Sequence, residues 1–187
     1  LLLDEPAAGL STSETVALFE HLRRLVQHRG VTAIVVEHDV DAVFRFCDQI
    51  TAHFPDYDSS PFVQEKFFGD WSPDRAYGQQ QDRAIVGHNL KIAWNLTRVN
   101  NLRPKAEYVA FARKIAGLMP SVGMDPQRGG WYDMVERHTG PGERFHRLVW
   151  HDRKAWWQQE QGILAYQILN AVYGDPQYAK YARESSA

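Results

Sequence analysis

The distribution of aromatic residues divides this chain into two parts. All six tryptophans and all eight tyrosines lie after residue 50, whereas the first fifty residues carry only phenylalanine among these large aromatics. Residues 51–61 between the two parts are rich in turn-forming residues and show no periodicity. We therefore predict one unit at residues 1–50, a junction at 51–60 and a second unit at 61–187, with few contacts between the units.

The first fifty residues show the order strand, helix, strand, helix. Apolar runs predict buried strands at residues 1–3 and 31–36, and a stripe of apolar residues at helical spacing separates them. This order is typical of a parallel sheet with crossover helices, in which chemistry collects at the carboxyl ends of the strands. Asp4 and Glu5 follow the first strand, and His38 follows the second.

These three side chains suit phosphoryl transfer. A carboxylate such as Asp4 can hold Mg²⁺, usually through water. Glu5 can polarise an attacking water, and His38 can hydrogen-bond the transferred phosphoryl group. The spacing alone leaves an alternative open, in which the carboxylates are a polar strand end and the histidine is a solvated loop residue.

Three ordered motifs in this part resemble the ATP-binding-cassette ATPases. Residues 1–6 (LLLDEP), 7–11 (AAGLS) and 36–39 (VEHD) are similar to the Walker B strand, the D-loop and the switch-histidine loop of that family. The resemblance covers residues 1–50 and looks closest to the branched-chain amino-acid importers. It implies a β-α-β-α fragment of an α/β nucleotide-binding domain, and permease subunits as partners only for a complete ATPase.

The same resemblance implies ATP and magnesium as cofactors of this part. Asp4 would be the magnesium ligand, Glu5 the general base and His38 the contact to the γ-phosphate, and all three would help to bind the nucleotide. However, the 187 residues contain neither a G-x-x-x-x-G-K-[S/T] phosphate loop nor an LSGGQ signature. Since that loop supplies most of the phosphate affinity, we expect no ATP hydrolysis from this chain.

The second part reads as mostly helical. Apolar stripes predict helices over residues 82–99, 105–118, 154–173 and 176–183. Tryptophans and tyrosines near helix starts suggest paired helices around a polar pocket, because an indole face complements the apolar face of a sugar ring. The alternative is that tryptophans at helical spacing only pack in the core.

Three motifs of this part resemble the N-acylglucosamine 2-epimerase and cellobiose 2-epimerase family. They are residues 87–94 (GHNLKIAW), 129–133 (GGWYD) and 154–159 (KAWWQQ), and the resemblance covers residues 61–182. It implies helical hairpins of an incomplete (α/α)6 barrel, a mono- or disaccharide as substrate, and no cofactor. In that family a histidine pair exchanges the proton at C2 of the opened sugar.

By this resemblance His88 is the first histidine of the pair, a role that suits a group titrating near neutral pH. His88, Trp156, Trp157 and Gln159 are then the predicted substrate-binding residues. We expect His88 and the two tryptophans to face one incomplete polar pocket, with Trp156 stacking on the sugar and Trp157 packed in the core.

The chain departs from the family pattern at several positions. Lys91 stands where the family usually has glutamate, and Gln161 stands where it has a carboxylate. No histidine matches the second member of the pair, since His138, His146 and His151 lie outside its motif. These changes could define a subgroup with another substrate, or could mean that epimerisation is lost.

Three functions therefore compete: a sugar 2-epimerase, an ATPase subunit of an amino-acid importer, and a truncated fusion of the two without activity of its own. The third is our prediction, because the chain opens inside an apolar strand without an initiator methionine and both resemblances are partial. The net charge of −2 gives no reason to expect nucleic acid. The absence of a bilayer-length apolar run or signal peptide, together with a single cysteine, Cys47, predicts a cytoplasmic protein.

Overall fold

The computed structural model describes residues 1–29, 31–36 and 40–186, and helices form most of this part of the chain. The helices are α1 (Thr12–Arg29), α2 (Val40–His53), α3 (Val86–Leu102), α4 (Ala106–Val122), α5 (Trp156–Tyr173) and α6 (Pro176–Ser185). The strands are β1 (Leu2–Asp4), β2 (Ile34–Val36), β3 (Arg83–Ile85) and β4 (Met134–Glu136). None of the described helices is long and apolar enough to cross a membrane.

The predicted strand–helix–strand order is present at the start of the chain. Strands β1 and β2 pair in parallel, with Leu2 opposite Ile34, and α1 connects them. Helix α1 begins with a capping box, in which the Glu14 carboxylate accepts hydrogen bonds from the Ser11 amide (2.8 Å) and hydroxyl (2.6 Å). Both strands lie outside the hydrophobic core that the described residues form. Nucleotide binding by this segment stays a prediction.

The helical part is built from two hairpins. Helix α3 packs on α4, α5 packs on α6, and α3 and α5 lie side by side and join the hairpins. The helices end where the sequence supplies end signals: Gly174 adopts a left-handed φ of 64° after α5, and the Asp175 side chain accepts from the Gln177 amide at 3.0 Å to cap α6. This arrangement agrees with the predicted helical hairpins.

Helix α2 runs through the predicted junction and packs on the helical part. The Tyr108 hydroxyl of α4 donates to the Phe44 carbonyl at 3.2 Å and also contacts Asp48, which forms an ion pair with Lys105. Cys47 is buried in the same core, as expected for packing. Residues 40–50, which the sequence assigned to the first unit, therefore lie on the core of the second, because an apolar helix stripe does not specify which core it joins.

Helix α1 contacts the loop at Gly69 and helix α2. The Gly69 carbonyl accepts hydrogen bonds from Gln27, at 2.9 Å, and from Arg23. Phe19 of α1 lies edge-on to Phe46 of α2, with ring centroids 5.5 Å apart. These contacts place α1 beside the segment that leads into the candidate site.

Candidate functional site

The start of α3 presents His88 at the edge of the helical part. Strand β3 leads directly into α3 and is held by antiparallel pairing with β4, in which Ile85 lies opposite Met134. His88 is the third residue of the helix, and its side chain is 39% exposed. The imidazole is therefore accessible while the backbone that carries it is fixed.

Glu65 is the partner of His88. The Glu65 Oε2 atom lies 2.6 Å from His88 Nδ1, and the glutamate side chain is only 9% exposed. Its other oxygen, Oε1, is buried and has no hydrogen-bond partner among the described residues. A histidine held by a buried carboxylate is an arrangement that suits proton transfer. Glu65 was missing from the predicted site because it lies in an aperiodic segment that no motif marks.

The segment before Glu65 is anchored on both sides. The Val63 amide donates to the Asn89 side chain at 3.0 Å, and Arg137 donates to the carbonyls of Val63 (3.0 Å) and Phe62 (3.3 Å). The guanidinium of Arg137 is buried, and burial lowers its pKa even though Asp56 and other carboxylates act in the opposite direction. Glu65 is thus held on a well-supported stretch of backbone.

Trp157 and Gln158 of α5 support the histidine from the other side. The ring centroids of Trp157 and His88 are 5.5 Å apart. The side chain of Gln158 is fully buried; its Oε1 accepts from the Gly87 amide at 2.6 Å and its Nε2 donates to the Asp133 carbonyl at 3.0 Å. A Cβ atom on Gly87 would lie 2.7 Å from Gln158 and 2.8 Å from Trp157, so the close approach requires glycine here.

Gln159, a predicted substrate contact, holds the backbone of Trp131 in the structure. Its Oε1 accepts from the Trp131 amide at 2.7 Å, and its Nε2 donates to the Trp131 carbonyl at 2.8 Å and to the Ala155 carbonyl at 3.1 Å. Gly130 has a left-handed φ of 74°, and a Cβ atom there would lie 2.7 Å from Gln159 Oε1, so glycine lets the loop approach the Gln159 side chain. Gln159 therefore orders the Gly-Gly-Trp loop, and its contact with a sugar stays a prediction.

The structure brings Trp157 to His88 but not Trp156. Trp156 is 72% exposed at the start of α5. Since consecutive helical residues point about 100° apart, the two tryptophans leave α5 in different directions. His88 and Trp157 are thus neighbours, with Trp157 partly buried beside the histidine rather than deep in the core, and a pocket shared with Trp156 stays a prediction.

Other polar residues singled out from the sequence lie elsewhere. Gln161 accepts a hydrogen bond from the indole of Trp94 at 2.8 Å. His138 contacts the Ser59 carbonyl and Asp82, and His146 contacts the Glu136 carbonyl at 2.8 Å and packs edge-on against Phe62. Burial lowers the pKa of His146. The contacts of these two histidines are away from the pair of His88 and Glu65.

One cavity is bordered by both residues of this pair, and a second is bordered by Glu65 but not by His88. A cavity of about 360 Å³ between α2 and α3 is mostly apolar and is bordered by His88, Glu65 and Lys91. A larger one of about 920 Å³ lies on the other side of Glu65, between aromatic residues and α1. Its aromatic members include Phe54, Phe67, Trp71 and Tyr77. The site therefore opens onto surfaces that can contact the apolar faces of an organic ligand.

Two of the three predicted ATPase residues lie within the described part of the chain. Asp4 and Glu5 are exposed at the carboxyl end of β1, and His38 lies outside the described residues. Across residues 1–29, 31–36 and 40–186, no group of three or more histidine, cysteine, aspartate or glutamate side chains is arranged to hold a metal ion. The roles of Asp4, Glu5 and His38 towards ATP and Mg²⁺ stay predictions.

Comparison with known sequences assigns the helical part of the chain to a protein family. The family model for N-acylglucosamine 2-epimerase (GlcNAc 2-epimerase) matches residues 40–186, so the match includes α2 as well as both hairpins.

Solved structures with a similar fold are sugar enzymes. Cellobiose 2-epimerase from Bacillus thermoamylovorans has a TM-score of 0.62 at 15% identity, over 79% of this chain and 34% of its own. A D-mannose isomerase has a TM-score of 0.62 at 18% identity, over 79% and 37%. An unsaturated glucuronyl hydrolase specific for heparin scores 0.52 at 16% identity, over 75% and 36%. At these identities the likeness shows the fold, and the chain spans about a third of each neighbour.

A short stretch is similar to importer ATPases. It is 45% identical over 51 residues to the ribose import ATP-binding protein RbsA of Burkholderia mallei, and 44% identical over 50 residues to the branched-chain amino acid transport ATP-binding protein LivG of Escherichia coli. Each match covers 27% of this chain, but only 10% and 20% of those proteins. The resemblance read from the sequence is confirmed at this extent.

Proposed function

This chain belongs to the N-acylglucosamine 2-epimerase family, and on that basis we propose that its helical part binds a mono- or disaccharide with His88 as the proton-transfer group at C2. The observation that carries the proposal is the 2.6 Å contact between His88 and the buried carboxylate of Glu65, beside the ring of Trp157. The fold alone would not suffice, because a glucuronyl hydrolase shares it.

The chemistry follows from the acidity of a proton next to a carbonyl. In an opened sugar, a base at C2 removes the proton, and the electron pair moves towards the C1 carbonyl to give an enediolate. Return of a proton to the opposite face of C2 inverts that carbon. A neutral imidazole can perform the first step near neutral pH, and an adjacent indole can hold the apolar face of the sugar.

Inversion also needs a second acid–base group on the other face of C2. His138 and His146 are engaged with other partners, and Lys91 and Gln161 replace the carboxylates of the family pattern. We therefore propose that this chain, as a fusion of two partial units, binds sugar without net epimerisation.

NMR titration with mannose, glucose, N-acetylglucosamine and cellobiose tests the sugar site. At least one sugar should shift the ring signals of His88 and Trp157, saturably and at concentrations around the ~1 mM upper range of enzyme substrates. His88→Ala should weaken binding, whereas His28→Ala, at an exposed position of α1, should not. If no sugar shifts either ring in the folded wild-type protein, the proposal is wrong.

A further inference from the structure

We infer that Glu65 is the positioning residue of His88, holding the neutral imidazole in its Nδ1–H form so that Nε2 is the proton acceptor facing the ligand. This rests on the proposed function, which assigns proton transfer to His88. Positioning by Glu65 adds to it the identity of the ring nitrogen that accepts the proton.

The first argument is the hydrogen-bonding capacity of the two groups. An ionised carboxylate can only accept, so a 2.6 Å contact with Glu65 Oε2 requires the proton to be on His88 Nδ1. In the neutral ring the lone pair is then on Nε2. No hydrogen bond to Nε2 is formed by the described residues, and the His88 side chain is exposed enough for a ligand to reach it.

The second argument is the burial of the carboxylate. With Oε1 unpartnered, His88 is the one hydrogen-bond partner of the Glu65 carboxylate among the described residues. A buried carboxylate without any partner is strongly unfavourable, so the ring rotation that would break this contact is opposed.

The third argument is the rigidity of the two backbones. Asn89, next to His88 on α3, accepts from the Val63 amide at 3.0 Å, and its own amide group donates to the Ile85 carbonyl at 3.1 Å. This bridge ties the segment of Glu65 to the first turn of α3. The carboxylate and the imidazole are thus held together by contacts independent of the bond they share, as a positioning pair requires.

The test is the tautomer of His88, measured by long-range ¹H–¹⁵N correlation of imidazole nitrogens in the full chain, at a pH where the rings are neutral. In the wild type we expect the Nδ1–H form to be the major form of His88. In Glu65→Gln, whose amide can also donate to Nδ1, we expect the Nδ1–H form to lose that dominance. Glu107→Gln, an exposed carboxylate on α4, should leave the tautomer unchanged.

His146 is an internal control for folding. Its Nδ1 contacts the Glu136 carbonyl, so its tautomer should stay the same in every variant with an intact structure. A wild-type His88 that is mainly Nε2–H would overturn the inference, as would an unchanged His88 in Glu65→Gln. The sugar titration is a separate measurement, so failure of sugar binding and failure of positioning can be told apart.

Discussion

The backbone amide of Gly87 donates a 2.6 Å hydrogen bond to the side chain of Gln158, which lies on another helix hairpin. The side-chain Nε2 of the same Gln158 donates to the carbonyl of Asp133 at 3.0 Å. One glutamine thereby joins the Gly-His, Gly-Gly-Trp-Tyr-Asp and Trp-Trp motifs. The position of His88 therefore depends on contacts between the two hairpins and not only on the start of its own helix.

Gly87→Ala should disturb this junction. The new methyl group would meet Gln158 and Trp157 at 2.7–2.8 Å, and such overpacking lowers the free energy of unfolding by about 1–3 kcal/mol. Urea denaturation measures this loss, and NMR should show displaced ring signals of Trp157 and His88.

Gly117→Ala is the matched control, since it makes the same change inside α4 at an exposed position with open space around the added atom. We expect it to raise the free energy of unfolding by about 0.5–1 kcal/mol, because alanine restricts the unfolded chain. If the two substitutions changed the free energy of unfolding equally, the close packing around Gly87 would be contradicted.

Asp125 should make stability depend on acid pH. Burial alone would raise its pKa, but hydrogen bonds from Lys154 and from the amides of Gln127 and Arg128 outweigh burial and hold the pKa well below the usual range. The unfolded chain then binds a proton near pH 4 while the folded chain does not. The stabilisation that the ionised Asp125 carboxylate gives to the folded chain is present above about pH 4 and is lost as the pH falls further.

Asp125→Asn tests this linkage. It should lower the free energy of unfolding at neutral pH by about 1–3 kcal/mol, since it leaves the Lys154 cation without its buried partner. It should also reduce the slope of stability against pH below about pH 5. Denaturation curves at several pH values measure both effects, and an unchanged slope would show that other carboxylates dominate.

The chain should show no Mg²⁺-dependent ATP hydrolysis. Asp4 and Glu5 are exposed, and the 187 residues contain no phosphate loop to position a nucleotide. A phosphate-release assay with and without Mg²⁺ tests this. Phosphate release that disappears in Glu5→Gln would show that the ATPase residues work despite these features.

Net epimerisation at C2 should also be absent. One histidine can take a proton from C2, but inversion needs a second group on the opposite face. Incubation of mannose, glucose, N-acetylglucosamine and cellobiose in heavy water, followed by NMR, measures exchange and inversion together. Formation of the C2 epimer that is lost in His88→Ala would reveal a second acid–base group in this chain.

The sequence predicted the elements better than the site. Periodicity located the four helices of the hairpins to within a few residues, because an apolar stripe is a local property. Glu65 and the bridging role of Gln158 could not be predicted, since both contacts join residues far apart in sequence. Trp156 is exposed and Trp157 contacts His88, a difference that motif membership does not encode because it depends on the direction in which a helical side chain points.

Helix α2 lies where two sequence resemblances overlap. Its first residues, 40–50, belong to the stretch that resembles transporter ATPases, and they also open the match to the epimerase family. An amphipathic helix needs only a suitable apolar face to join a core, so one sequence can satisfy either fold. Recombination within such a helix would leave the downstream core covered, because Phe44 and Asp48 still contact Tyr108. The apolar face of α2 therefore serves the helical core whichever sequence pattern precedes it in the chain.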